Sequence, residues 1–112
     1  MNHSDVFETL YSGNEGYVLY CGHCNRYRLA FISTALMLSA EEYGGLRSHV
    51  EMLFHQHTPE SMDLNCKSII IPSVSDQVQI VLTRTELNRL QQMLDRADTE
   101  KKVNALMALF NG

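Results

Sequence analysis

The sequence predicts an α+β domain with a mainly antiparallel sheet, built from two strand-strand-helix halves and a C-terminal helix. Three observations predict it. Apolar residues alternate with period two in short runs such as Tyr27-Arg28-Leu29-Ala30-Phe31, the mark of a strand with one buried face. A hydroxyl residue stands three positions before a glutamate at Ser39/Glu42 and again at Thr83/Glu86, the reciprocal pairing that opens a helix. The apolar residues that follow keep helical intervals, with Tyr43, Leu46, Val50, Leu53 and Phe54 in one stretch and Leu87, Leu90, Leu94 and Ala97 in the other.

The opening residues to about Tyr11 carry weak signals, and Ser12-Gly13-Asn14-Glu15-Gly16 reads as a turn. Tyr17-Val18-Leu19-Tyr20 is a short strand that delivers the pair Cys21 and Cys24. The Tyr27–Phe31 strand turns at Ser33-Thr34 into Ala35–Leu38, which leads into the first helix. Pro59 ends that helix at or before Thr58, because the residue before a proline avoids helical angles. Residues 55–66 connect the halves.

Ile69-Ile70-Ile71 then runs to Pro72. A polar stretch follows, and Val78–Leu82 completes a second hairpin before the Thr83 helix start. The segment Leu38–Leu46 aligns with Leu82–Leu90, so a ββα plan is read twice, over 17–57 and over 66–97 in a single domain. A further helix is expected over 99–110. Its stripe of Val103, Leu106, Met107 and Phe110 points nearly opposite to the stripe from Leu87 to Ala97. Either the helix breaks near Asp98-Thr99, or its last turns pack elsewhere: back on the sheet, or against a second copy of the chain.

The 112 residues are 45% hydrophobic and 20% charged, ordinary for a globular chain and unlike a disordered one. The net charge of −4, with nine scattered Lys and Arg, argues against nucleic acid and against an anionic membrane surface as partners. No apolar run is long enough to span a bilayer, and Met1-Asn2-His3-Ser4-Asp5 lacks the pattern of a secretion signal, so a cytoplasmic location is expected. Three cysteines, an odd number, fit free thiols in a reducing compartment better than a disulfide framework.

Cys21-Gly22-His23-Cys24 holds the chemical information, and three readings stand. In the first, the pair is a zinc knuckle: a tight turn presents both sulfurs to one side, with Cys66 and His57 (or His55) as third and fourth ligands. In the second, Cys21 and Cys24 form a redox dithiol with His23 stabilising a thiolate. The tetrapeptide resembles the active site of the protein disulfide isomerases, and Pro72 resembles the proline loop of a thioredoxin domain. That family starts a helix at its first cysteine, whereas Tyr27–Phe31 keeps strand period. In the third, the thiols are small buried apolar groups.

His49 lies beside the apolar stripe of its helix and reads as a partly exposed surface residue. No phosphate loop, nucleophile elbow or metalloprotease helix is present, so no catalytic residue is assigned outside the dithiol alternative.

Tyr20-Cys21-Gly22-His23-Cys24 with Tyr27-Arg28-Leu29-Ala30-Phe31, then Leu82-Thr83, Glu86-Leu87 and Met93-Leu94-Asp95, is similar to a family of short uncharacterised bacterial proteins, one of the domains of unknown function. The resemblance covers about residues 17–110 and implies no activity. The expectation is a small cytoplasmic, non-enzymatic interaction or regulatory module. A homodimer or another protein is the expected partner, with zinc as the cofactor if any; the alternative is a thiol-disulfide oxidoreductase.

Overall fold

A computed structural model describes residues 7–56, 69–72 and 79–111. Among the described residues six strands and two helices follow one another as β1 (Phe7–Gly13), β2 (Gly16–Cys21), β3 (Arg26–Phe31), β4 (Thr34–Ser39), α1 (Ala40–Gln56), β5 (Ile69–Pro72), β6 (Gln79–Leu82) and α2 (Arg84–Asn111). The architecture is α+β. The first four strands form one antiparallel sheet in the order β1-β2-β3-β4, and β5-β6 is a separate antiparallel hairpin.

The chain divides into two compact units. The first comprises residues 1–40 with 93–112, which is the four-stranded sheet together with the second part of α2. Opposed pairs Tyr20↔Tyr27, Val18↔Leu29 and Tyr27↔Leu38 place these residues on one face of the sheet. Val18, Tyr27, Leu29, Phe31 and Leu38 are all buried there. The period-two pattern of β3 thus becomes a core face, with Arg26 and Arg28 left exposed on the other side.

Helix α2 lies over that core face. The Lys101 ammonium sits 4.6 Å from the centre of the Tyr20 ring. Asn104 donates a hydrogen bond from its side chain to the Glu8 carboxylate. Met93, Leu94 and Ala97, at helical intervals, are buried on this stretch.

Strand β1 was not evident from the sequence. Its register jumps from Thr9↔Leu19 to Tyr11↔Val18, leaving Leu10 as an extra residue in a bulge. Leu10 is buried, so the bulge turns it into the core and breaks the alternation that would have marked the strand.

The second unit comprises residues 41–92. In α1, Tyr43 and Val50 are buried, with Leu46, Leu53 and Phe54 half-buried along the same stripe. The pairs Ile69↔Leu82 and Ile71↔Ile80 set one face of the β5-β6 hairpin inward, with Ile69, Ile71 and Leu82 buried. The paired Ile70 and Val81 face outward and are exposed.

Both expected helix starts form. α1 begins directly after Ser39. At α2 the Thr83 backbone N–H donates to Glu86 Oε1 at 2.8 Å, and the Glu86 N–H donates to Thr83 Oγ1 at 3.0 Å. This is the capping box in full.

Where the sequence suggested a helix break near Asp98-Thr99, α2 is continuous from Arg84 to Asn111. The stretch expected as a separate helix over 99–110 is its last part. α2 rests on the sheet as far as Asn104, but the expected stripe does not pack there: Val103, Leu106, Met107, Leu109 and Phe110 are all exposed. The apolar stripe changes side because α2 outruns the sheet. Beyond Asn104 even Ala105 and Ala108, which share the buried azimuth of Leu94 and Ala97, are exposed.

Candidate functional site

The thiol pair sits on a β-hairpin. β2 ends at Cys21, residues 22–25 turn, and β3 starts at Arg26, which pairs directly with Cys21. Asn25 closes the turn in the left-handed region at φ 55°, a conformation that asparagine tolerates better than most residues. Its side-chain oxygen accepts a 2.8 Å hydrogen bond from the Tyr20 hydroxyl. The Tyr20 ring in turn stacks tilted against Tyr27, with centroids 4.8 Å apart. Two tyrosines and an asparagine therefore fix the base of the loop that carries the cysteines.

The two sulfurs are not equivalent. Cys21 is fully buried and Cys24 is exposed, and both are free thiols. The Cys24 backbone N–H donates to Cys21 Sγ at 3.3 Å. The Cys24 thiol, within hydrogen-bonding reach, together with the backbone N–H groups of Cys24 and His23, holds the Cys21 thiol below its usual range, against the opposing effect of burial. Cys24 moves the other way, because donating to Cys21, burial and the nearby Cys21 charge each favour its protonated form. A Cys21 thiol eased toward its charged form by a peptide N–H and flanked by a second thiol on the same turn is chemistry suited to a soft metal ion.

Of the expected ligands, the hairpin brings Cys21 and Cys24 together. Cys66 and His57 lie outside the described residues, as does His3. His55 is described on the last turn of α1, where it is exposed and lies 3.9 Å from Glu51. Among the described residues no group of three His, Cys, Asp or Glu is placed to hold a metal. His23 is exposed on the turn itself, and His49 is half-buried on α1.

Two features escaped sequence reasoning. Arg84 is 7% exposed at the start of α2, and its Nε and Nη1 have no hydrogen-bond partner. Nothing in a sequence marks an arginine for burial. Ile32, in the β3-β4 turn, takes φ 56°, and its backbone N–H donates to the Glu15 carbonyl at 2.6 Å.

Fold and site together define a small α+β protein whose most reactive groups ride on a strand-turn-strand hairpin, with no helix of the described residues long and apolar enough to cross a membrane. The chain belongs to a family of unknown function, DUF6686, whose model matches residues 1–109. No curated protein and no solved structure matches it.

Proposed function

We propose that this protein is a non-enzymatic interaction module of the cytoplasm in which the β2-β3 hairpin clasps a structural metal ion, zinc by preference, through Cys21 and Cys24. The observation that carries the reading is the Cys24 N–H to Cys21 Sγ hydrogen bond inside a turn closed by left-handed Asn25. Peptide N–H donors to sulfur stabilise a thiolate before any metal arrives, and the turn leaves both sulfurs on one loop. Two thiolates make half of a tetrahedral set. Cys66 and His57 are the proposed remainder. The acidic balance and the scattered basic residues favour a protein partner over nucleic acid or membrane.

Elemental analysis with thiol titration tests this. Protein purified under reducing conditions is expected to carry one zinc per chain, released by a thiol reagent and lost in Cys24→Ala and Cys66→Ala. Metal-free protein that also fails to take up zinc on titration would sink the clasp.

A second reading, thiol-disulfide exchange, is favoured by the unequal thiols, since one acidified and one ordinary sulfur is the usual division of labour in such sites. Here the division is inverted: the acidified sulfur is buried and the exposed one is not acidified. No helix starts at Cys21 to sharpen the contrast. Reduction of insulin disulfides by metal-free protein, abolished in Cys21→Ser, would move the assignment to that reading.

A further inference from the structure

The last turns of α2 present a surface that no described residue of this chain covers. Val103, Leu106, Met107 and Phe110 recur at intervals of three and four residues, the spacing by which one helix seats on another. Their exposures are 45%, 55%, 55% and 84%, and Leu109 beside them is 78% exposed. Soluble chains rarely leave a contiguous stripe of this kind open to water.

We propose that this end of α2 packs antiparallel on the same segment of a second copy, making a two-fold symmetric homodimer. The inference deepens the reading of an interaction module by naming its partner, and it does not depend on the metal.

Three observations favour a second copy over an unrelated protein. The first is area. Weighted by exposure, the five side chains offer on the order of 500 Å² of apolar surface per chain and about 1,000 Å² for a pair, the threshold area for a weak, reversible interface. The second is charge. From Val103 to Asn111 there is no charged side chain, so two chains of net charge −4 can meet here without like charges in the seam.

The third is complementarity of the helix ends. α2 has no basic residue in its last turn to offset the partial negative charge of its exposed carbonyls. In an antiparallel crossing centred on Leu106, Lys102 of one copy falls opposite Phe110 of the other, next to that uncompensated terminus. Its side chain is 76% exposed and engaged in an i,i+4 pair with Asp98 at 3.0 Å, a surface arrangement that yields readily.

Sedimentation velocity on the full chain from low micromolar to several hundred micromolar tests the pairing. The expected result is a reversible dimer in the micromolar range. Leu106→Glu and Phe110→Glu should each weaken it by roughly 100-fold or more, because each places a charge in the seam. Both sites are exposed, so circular dichroism of the variants, and their melting at concentrations where the parent is monomeric, should match the parent. Leu106→Cys, near the two-fold axis, should cross-link under mild oxidation.

A parent chain that stays monomeric at the highest concentration overturns the proposal, as does a dimer that survives both glutamate variants. The arms separate this idea from the metal clasp. A dimer that neither carries nor takes up zinc removes the clasp and keeps the pairing; a zinc-bearing monomer does the reverse.

Discussion

Ile32 occupies a backbone conformation that a β-branched side chain seldom takes. It is the first of two turn residues between Phe31 and Thr34, and it alone of the two has positive φ, a position where glycine is the usual choice. Its side chain is 53% exposed and so gains little from packing. Ile32→Gly is therefore expected to stabilise the protein by about 0.5–1 kcal/mol, the relief of left-handed strain less the extra freedom of glycine in the unfolded chain. Thermal melts would show it, and an unchanged or lower midpoint would refute it. The cysteine pair yields a prediction of the opposite kind. The Cys24 thiol is the largest cause of the depressed Cys21 pKa, so Cys24→Ala in metal-free protein should raise the Cys21 titration toward that of a simple thiol, read from ultraviolet thiolate absorbance against pH. The sign follows because the lost donor had favoured the charged form. At this scale the sequence displayed the thiols and their spacing in plain view. It could not show that Cys21 is buried while Cys24 is exposed, because that difference arises from the turn and its Asn25 closure.

Local signals were most legible at the level of the elements. The Thr83–Glu86 box marks the start of α2 within a residue, since it satisfies backbone donors that any helix start must satisfy. The β3 strand was legible for a related reason, since a single buried face writes its period into the sequence, whereas β5 was legible as a β-branched run ending at a proline. β1 was not, because one extra residue at Leu10 shifts parity midway. The continuity of α2 was equally hidden. Its hydrophobic stripe changes side because the sheet beneath it stops, and no glycine or proline lies between Arg84 and Asn111 to break the backbone. α1 offers the cleanest test of local energetics. Gly44 and Gly45 lie side by side in its second turn, both exposed, with nothing within 4 Å of where a Cβ would stand. Gly44→Ala and Gly45→Ala should each add about 0.5–1 kcal/mol of stability by removing backbone freedom from the unfolded chain. Chemical denaturation of the single and double variants checks this, with near-additive midpoints expected if neither glycine is held for contact with a partner.

Across the whole molecule the organising fact is that one helix serves both compact units. Arg84–Gln92 belongs with α1 and the β5-β6 hairpin, and Met93 onward belongs with the first sheet. Period, caps and turns all report on neighbours along the chain, so the alliance between the opening sheet and the closing helix was beyond their reach. A ribosome meets the same separation in time. It releases all four opening strands, with Val18, Leu29 and Phe31 already facing one way, long before Met93, Leu94 and Ala97 are polymerised to shield them. The nascent sheet is without this cover until residues 93–104 follow, and its maturation waits on that segment. A chain stopped after Gln92 should accordingly bind a hydrophobic dye and sediment with the insoluble fraction, whereas one stopped after Asn104 should remain in solution.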